Sequence, residues 1–354
     1  MSQTTSSAGR TRVAVVYGGR SSEHGVSCLT ARNIIAAIDA DRYEVVPVGI
    51  SAQGRWVREE LPLTVAEPGA LPQVDPDAEP FAWEGLYDVD VVFPLLHGPW
   101  GEDGTLQGLL ELADVRYVGA GVLASAAGMD KPFTKALFAA GGLPQLPYVT
   151  ILPGRWHSER GRTLARIQAL GMPVFVKPAR AGSSSGVLMV SSEDELDAAI
   201  AEAATFDPKV VVEAAARGKR ELEVGVVQHP DGHVEASQVG EVVADAASHD
   251  FYDFEQKYLD GTAANVVPAD ISPTLSEQLR AYAVQAFDAI GAEGLARVDF
   301  FLTDNGLVIN EINTMPGFTS TSMFPVLWQE SGVPYEQLVD LLLQQALSRP
   351  HGLR

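Results

Sequence analysis

Short apolar runs alternate with stretches of helical periodicity along the first third of the chain. Apolar residues cluster at 12–17, 43–50 and 90–96, which predicts buried strands, and the segment 27–40 has the periodicity of a helix. Strands that alternate with helices usually form a parallel sheet with helices on its faces. We therefore predict an α/β domain at the N-terminus, interrupted by a Pro-, Glu- and Asp-rich surface insertion at 58–82.

The rest of the chain mixes strands and helices less regularly. Strands are predicted at 174–176 and 210–213. The box Thr274-x-x-Glu277 predicts the start of a helix whose apolar positions recur every three or four residues, and Gly291 suits its end. A last amphipathic helix is predicted close to the C-terminus.

The composition excludes some classes of function. The 354-residue chain carries a formal net charge of −21, which argues against nucleic acid as a partner because clustered Lys and Arg are needed to neutralise phosphates. Its single cysteine, Cys28, allows no disulfide within the chain, and no apolar run approaches the roughly 18–20 residues of a membrane span. We expect a cytoplasmic protein that does not insert into a membrane.

Two predicted strands near the C-terminus place charged side chains together. Because side chains alternate between the two faces of a strand, Arg297 and Asp299 share a face of the first strand. Ile309, Glu311 and Asn313 are predicted to share a face of the second strand by the same alternation.

The turn between these strands sets their pairing. Asp304-Asn-Gly306 is a hairpin signal, and a loop of those three residues pairs Thr303 with Leu307. Asp299 then stands directly opposite Glu311, and Arg297 stands directly opposite Asn313.

Two carboxylates directly across a sheet repel each other and lower stability. A divalent cation converts that repulsion into ligation, and oxygens of Asp, Glu and Asn suit Mg²⁺. The alternative is a solvated ribbon with polar outer residues. The convergence of Arg, Asp, Glu and Asn on one face favours the metal site.

A second constellation follows the predicted strand at 174–176. Lys177 stands at the end of this strand and is followed by the small-residue loop Ala181-Gly-Ser-Ser-Ser-Gly186. Glycines allow close approach of the backbone, and successive amides form an anion-binding nest, so a polyphosphate suits this loop. A flexible surface loop is the alternative. The chain contains neither a Walker A motif nor a G-x-S-x-G nucleophile elbow.

Two further stretches have less specific patterns. Gly119-Ala-Gly-Val-Leu-Ala124 matches a dinucleotide-binding pattern, but no acidic residue follows at the required distance, so we interpret it as a connecting turn between domains. The segment 245–270 is long, polar and aromatic without clear periodicity, which is typical of a functional lid.

Taken in order, several motifs resemble those of D-alanine–D-alanine ligases in the ATP-grasp superfamily, and the resemblance covers nearly the whole chain. They are Tyr17-Gly-Gly-Arg-Ser-Ser-Glu23, Leu96-His-Gly-Pro-Trp-Gly-Glu-Asp-Gly-Thr-Leu-Gln107, Met129-Asp-Lys131, the Lys177 loop, Glu213 with Arg220-Glu-Leu-Glu223, Lys257-Tyr258, and Asn310-Glu-Ile-Asn-Thr-Met-Pro-Gly317.

The resemblance implies an α/β fold with the three-domain ATP-grasp architecture. A parallel-sheet α/β domain is expected at 1–119, and two α+β domains at 120–212 and 213–354 are expected to clamp ATP. The C-terminal domain would carry the lid loop.

The resemblance also implies roles for individual residues. Those expected to act on the reacting groups are Glu23, Ser183, Tyr258, Arg297 and Gly317. Those expected to bind ATP are Lys131, Lys177, Ser184, Glu213, Glu221 and Lys257. Those expected to bind D-alanine are Glu23, His97, Ser322 and Met323, and two Mg²⁺ or Mn²⁺ ions would be held by Asp299, Glu311 and Asn313.

The implied reaction joins two D-alanines through an acyl phosphate at the expense of ATP, for peptidoglycan precursor synthesis. D-lactate or D-serine as second substrate remains open, as does a non-catalytic nucleotide-binding protein, although the intact Lys177, Arg297 and Asp299 argue against the latter. One departure is an extra residue near Gly218, between Glu213 and Glu221. A homodimer is also left open.

Overall fold

The computed structural model describes residues 9–59, 70–243 and 264–350. Within these ranges the strands are β1 (Thr11–Gly18), β2 (Tyr43–Ile50), β3 (Trp56–Arg58), β4 (Glu79–Pro80), β5 (Val91–Pro94), β6 (Tyr148–Ile151), β7 (Val174–Pro178), β8 (Leu188–Val190), β9 (Val210–Ala214), β10 (Arg220–Gln228), β11 (Val234–Val243), β12 (Ala264–Val266), β13 (Leu295–Thr303) and β14 (Gly306–Asn313).

The helices in the same ranges are α1 (His24–Ala37), α2 (Thr105–Leu112), α3 (Val122–Met129), α4 (Lys131–Ala140), α5 (Arg155–Ser158), α6 (Arg160–Gln168), α7 (Leu196–Phe206), α8 (Pro273–Ala289), α9 (Met323–Glu330) and α10 (Tyr335–Ser348). Short 3₁₀ turns cover Trp83–Asp88 and Glu193–Glu195. None of these helices has both the length and the apolar character that crossing a membrane requires.

The first sheet has the strand order β4-β3-β2-β1-β5, and β1 pairs in parallel with both β2 and β5. The central strand β1 is buried along most of its length because apolar side chains cover both of its faces. The predicted N-terminal parallel sheet is therefore confirmed. Strands β3 and β4 extend it with antiparallel pairing.

The predicted surface insertion is only partly a surface feature. Val74 is 4% exposed and packs beside Gly49 of β2. Its backbone N–H donates to Nε2 of His24 at 3.1 Å, while Nδ1 of the same ring donates to the carbonyl of Gly19 at 2.6 Å. One histidine thus ties the insertion to the loop that follows β1.

The other two sheets are antiparallel. Their strand orders are β6-β9-β7-β8 and β12-β11-β10-β13-β14. Helix α8 covers one face of the last sheet, while α3 and α4 contribute Ala124 and Phe138 to the same core. The predicted divisions at 119 and 212 stay predictions; strand β9 runs across the second of them.

The C-terminal helix packs against both the first and the last sheet, since its core cluster also includes Val227 of β10 and Leu295 of β13. Leu342, Leu343 and Ala346 of α10 belong to the core cluster that includes Val13 and Val15 of β1. The two ends of the chain are therefore held together by apolar contacts. This core fixes the loops that follow β1 and β5 relative to the C-terminal segment after β14.

The hairpin of β13 and β14 pairs as predicted near its charged end but not at its turn. Thr303 pairs with Gly306 rather than Leu307, so the turn has two residues instead of three. A bulge at Asn310 then inserts one extra residue, which restores the predicted pairing of Asp299 with Glu311. The prediction that Ile309 shares the face of Glu311 is consequently wrong.

The cap of helix α8 also differs from the prediction. Ser272, not Thr274, is the N-cap, and its hydroxyl accepts from the backbone N–H of Leu275. Pro273 occupies the first helical position, where a missing N–H costs nothing. The sequence Ser272-Pro273 is therefore the start signal of this helix, and the predicted start at the Thr274-x-x-Glu277 box is wrong.

This cap yields a stability prediction. Ser272→Ala should lower the free energy of unfolding by about 1 kcal/mol, because the N–H of Leu275 loses its acceptor. Thr274→Ala, the matched control, should change it by less than about 0.5 kcal/mol. Urea denaturation of both variants measures the difference, and a larger loss for the control would restore the sequence-predicted cap.

Candidate active site

A cavity of about 280 Å³ lies between the last two sheets, with loops of the first sheet at one end. All of the predicted site residues within the described ranges line it. They are Glu23, His97, Lys131, Lys177, Ser183, Ser184, Glu213, Glu221, Arg297, Asp299, Glu311, Asn313, Gly317, Ser322 and Met323. Lys257 and Tyr258, with most of the predicted lid, lie outside the described residues.

Glu23 and Ser183 close one end of the cavity although 160 positions separate them. The Ser183 hydroxyl donates to Oε1 of Glu23 at 2.5 Å, and Glu23 is 7% exposed. Gly182 makes this approach feasible, since a Cβ there would lie 2.5 Å from the other Glu23 oxygen. The small-residue loop therefore meets the loop after β1 in direct contact.

The backbone of this loop is unusual for its residue types. Ser183 and Ser184 have φ angles of 49° and 56°, in the left-handed region that residues with a Cβ seldom occupy. Such conformations persist where surrounding contacts enforce them and often mark ligand sites. The hydrogen bond to Glu23 is one such contact. The geometry favours a binding loop over the alternative of a flexible surface loop.

Two lysines pair with one buried carboxylate in the cavity, and a third lysine lines the same cavity. Lys177 donates to Oε2 of Glu213 at 2.6 Å, and Lys135 forms an ion pair with Oε1. Lys131 donates to the carbonyl of Ala181 at 2.9 Å. Lys135 was not among the predicted site residues. Its position four residues after Lys131, on the same face of a helix, is the signal that could have found it.

Burial and neighbouring charges together set the protonation of Glu213 and Lys131. Burial alone would raise the pKa of Glu213, but the ammonium groups of Lys177 and Lys135 outweigh it and lower the pKa to about 2. Burial lowers the pKa of Lys131, against the attraction of Glu311. Glu213 is therefore an anion at neutral pH, held by cations on both of its oxygens.

A second charged group occupies the β10–β13–β14 part of the last sheet. Arg297 donates to both oxygens of Asp299 at 2.7 Å and contacts Glu223 at 2.9 Å. Asn313 donates to Asp299 at 3.0 Å, and Glu311 stands across the strand pair from the same carboxylate. Two carboxylates and an amide oxygen on one face are a suitable donor set for Mg²⁺ or Mn²⁺.

His97 and Glu102 link the loop after β5 to the segment after β14. The Nδ1–H of His97 donates to the carbonyl of Met315 at 3.0 Å. Glu102 accepts from the backbone N–H groups of Gly98 at 2.7 Å and Met315 at 3.0 Å. Burial lowers the pKa of His97, so the ring is neutral at pH 7.

Burial, reinforced by the nearby charge of Glu23, raises the pKa of Glu102 to about 8. Glu102 was not predicted as a site residue. It lies in the Gly101-Glu-Asp-Gly104 stretch of a predicted motif, but its contact with Met315 depends on how distant segments meet.

The last wall of the cavity is the start of α9. Ser322 precedes this helix, and a hydrogen bond of 2.7 Å joins its hydroxyl to the hydroxyl of Thr319. The free amides at a helix N-terminus suit a carboxylate. Met323 is 6% exposed and belongs to a small apolar cluster with Leu327, so it supplies an apolar surface.

These groups define the chemical class of the site. Clustered ammonium groups beside an amide-rich loop suit a polyphosphate, and the neighbouring carboxylates suit a divalent cation. A buried carboxylate and a helix N-terminus at the far end suit the two charged groups of an amino acid. The arrangement is that of an enzyme that transfers a phosphoryl group from a nucleotide to a small carboxylic acid.

Comparisons with known proteins identify the family. Residues 12–120 match the family described as D-ala D-ala ligase N-terminus, and residues 137–344 match D-ala D-ala ligase C-terminus. The D-alanine–D-alanine ligase of Kineococcus radiotolerans is 51% identical over 376 aligned positions, covering 99% of this chain and 100% of that protein. The chain belongs to the D-alanine–D-alanine ligase family.

Solved structures agree with this assignment. D-alanyl-alanine synthetase A from Vibrio cholerae has a TM-score of 0.79 and 32% identity, covering 96% of this chain and 99% of that one. The VanG D-Ala:D-Ser ligase from Enterococcus faecalis has a TM-score of 0.77 and 30% identity, covering 96% and 100%. The predicted α/β ATP-grasp architecture is confirmed.

The hairpin carboxylates should respond differently to neutralisation. Asp299→Asn removes the bidentate partner of Arg297 and should lower the free energy of unfolding by roughly 2–3 kcal/mol. Glu311→Gln should change it by less than about 1 kcal/mol, because relief of cross-strand repulsion offsets lost attraction to Lys131. Both variants should lose nearly all turnover.

Urea denaturation without ligands, paired with an activity assay, separates these two effects. A large stability loss in Glu311→Gln would show that Glu311 is structural and would contradict the metal site.

His97 should make stability depend on pH. Its folded pKa lies below its ordinary value of 6.5, so at this site the unfolded chain binds more protons, and the contribution of His97 to stability falls as pH drops below about 6.5. The raised pKa of Glu102 contributes with the opposite sign. The slope from this group approaches about 1.4 kcal/mol per pH unit. His97→Gln keeps a donor for the Met315 carbonyl but cannot titrate.

Chemical denaturation of the parent and His97→Gln between pH 5 and 7 tests this. Glu102 titrates in both proteins, so the difference between the two slopes isolates His97. Parallel curves would mean that His97 is protonated equally in the folded and unfolded states.

Proposed function

We propose that this chain joins two molecules of D-alanine into D-alanyl-D-alanine, with ATP converted to ADP and phosphate. The observation that carries the proposal is the convergence on one cavity of every predicted site residue within the described ranges. Family membership adds the substrate class. The product would supply peptidoglycan precursor synthesis in the cytoplasm, and assembly as a homodimer stays a prediction.

The first step transfers a phosphoryl group between two anions. An oxygen of the D-alanine carboxylate attacks the γ-phosphorus, the bond to the β-phosphate oxygen breaks, and ADP leaves. Lys131, Lys177 and Glu23 line the cavity. The two lysines would hold phosphate oxygens, and Glu23 would hold the ammonium of the donor D-alanine. Cations contribute more to such a step than protein nucleophiles do.

Asp299, Glu311 and Asn313 fit a divalent cation, because Asp299 pairs with Glu311 across two strands and Asn313 contacts the same Asp299 carboxylate. Two Mg²⁺ or Mn²⁺ ions bound there would neutralise the charge of the phosphate groups. Glu221, the second residue of the neighbouring strand β10, also lines the cavity and forms an ion pair of 2.6 Å with Lys219. It would bind the ribose of ATP.

The second step forms the peptide bond. The amine of the second D-alanine attacks the acyl carbon, the bond to the phosphate oxygen breaks, and phosphate leaves. Arg297 and the backbone N–H of Gly317 would stabilise the oxyanion, and the amides beside Ser322 would hold the acceptor carboxylate with Met323 beneath it. The Glu23–Ser183 contact, with Tyr258 and Lys257 of the predicted lid, would keep water from the acyl phosphate.

The choice of acceptor gives the test of this function. At neutral pH D-alanine arrives as an ammonium and must lose a proton to attack, whereas the hydroxyl of D-lactate is neutral. A carboxylate such as Glu23 tolerates the ammonium, and the phenol of Tyr258, which the family resemblance assigns to the lid, would do the same. We therefore expect D-alanyl-D-alanine as the main product when D-alanine, D-serine and D-lactate are supplied equally at pH 7. Tyr258→Phe should form more depsipeptide.

ADP release followed by mass analysis of the products measures this preference. ADP release that depends on D-alanine, with the dipeptide dominating, supports the proposal. A predominance of depsipeptide or of the D-serine product would refute D-alanine as acceptor, and no ADP release with any acceptor would refute the ligase activity.

A further inference from the structure

Glu213 receives one ammonium group on each carboxylate oxygen, and the two lysines come from different elements. Lys177 belongs to β7, which pairs with β9 so that Phe175 lies opposite Glu213. Lys177 is two residues further along β7 and reaches Glu213 diagonally. Lys135 comes from α4, one helical turn beyond Lys131. The carboxylate is therefore bracketed from two sides, with one cation on each oxygen.

The two lysines differ in how far they can move. The Lys135 side chain is 5% exposed and Lys177 is 15% exposed, against 2% for Glu213. The Lys135 ammonium also lies 5.4 Å from the centre of the Tyr148 ring, whose π face stabilises a cation. Lys135 is thus enclosed by an anion and an aromatic face, while Lys177 lies nearer the open part of the cavity.

The proposed function requires Lys177 to contact phosphate, and in this structure its ammonium is bound to Glu213. If the Lys177 ammonium turns toward a phosphate, its ion pair with Glu213 is broken. A buried carboxylate without a counter-ion is strongly unfavourable, because burial penalises the charged form. A second cation that stays in place removes this penalty.

We propose that Lys135 is the permanent counter-ion of Glu213 and acts as a positioning residue that frees the Lys177 ammonium for the phosphates of ATP. This inference rests on the proposed function. Without Lys135, Glu213 has Lys177 as its remaining ion-pair partner, and the carboxylate competes with ATP for that ammonium. Lys135 itself stays paired throughout.

The first test separates nucleotide binding from D-alanine binding. Lys135→Met keeps the side-chain length but removes the charge, and should raise the KM for ATP about tenfold or more. The KM for D-alanine should stay within about twofold, because Lys135 contacts neither end of that site. Lys135→Arg keeps a cation and should recover most of the ATP affinity. Equal loss in both KM values, or no rescue by Arg, would overturn the proposal.

The second test is a double-mutant cycle. Glu213→Gln should weaken ATP binding in the parent protein but strengthen it in the Lys135→Met background, where it removes the competitor for Lys177. A purely structural lysine, or one that contacts phosphate directly, predicts additive losses instead. Additivity within about twofold would therefore refute the counter-ion role.

A matched control shows whether the loss of any buried ion pair near α4 has the same effect as the loss of the Lys135–Glu213 pair. Lys209 pairs with Asp130 next to the start of α4, with side-chain exposures of 14% and 8%, and neither residue lines the cavity. Lys209→Met should lower the melting temperature, as Lys135→Met does, yet leave the KM for ATP unchanged. A similar rise in KM for both variants would attribute the effect to helix α4 in general.

Calorimetric titration with MgADP distinguishes failure of this inference from failure of the proposed function. It requires no D-alanine, so the affinities of the parent, Lys135→Met and the double variant remain comparable whichever acceptor the enzyme uses. Binding by the parent with no change in Lys135→Met would refute the counter-ion role while leaving the ligase function intact. No binding by the parent would refute both.

Discussion

The burial of charge in a single cavity is the constraint on which the rest of the structure depends. An ion withdrawn from water persists only if an opposite charge or several hydrogen bonds replace its hydration. Glu213 meets this requirement with two lysines, and Arg297 meets it with Asp299 and Glu223. Lys177 and Glu213 come from neighbouring strands of one sheet and Lys135 comes from helix α4, so α4 can pack only in an arrangement that keeps this cluster together. Arg297, Asp299 and Glu223 come from the neighbouring strands β10 and β13, so their pairing depends on the register of that sheet.

This pairing also explains how a chain with a net charge of −21 can present a site for polyphosphate. The global charge opposes an anion, but local cations at contact distance dominate over distant, screened charges. In this structure Lys177 and Lys135 pair with Glu213, and Arg297 pairs with Asp299 and Glu223. Under the proposed function, binding of ATP with a divalent cation would be an exchange of partners, in which phosphate oxygens and metal replace some of these ion pairs.

The sequence predicts what local pattern controls and misses what tertiary packing controls. The predicted pairing of Asp299 with Glu311 is confirmed, but only because two deviations from the prediction cancel: the turn is one residue shorter and the bulge adds one residue. The bulge at Asn310, which compensates for a shorter turn, has no signal in the hydrophobic pattern because Asn is acceptable both in a turn and in a bulge. Lys135 and Glu102 escaped prediction for a related reason: each acquires its role from a contact with a distant strand or loop.

The extra residue near Gly218 shows how the fold preserves a site despite a change in chain length. Gly218 adopts a φ of 59°, and a Cβ there would lie 2.5 Å from Asp304 at the tip of the β13–β14 hairpin. The loop between β9 and β10 can therefore bulge against that tip without moving either strand. Glu221 pairs with Phe301, two positions before the pairing of Glu223 with Asp299, so alternation puts both carboxylates on the same face as Asp299. The position of Glu221 is thus set by the register of the sheet and not by its distance along the chain from Glu213.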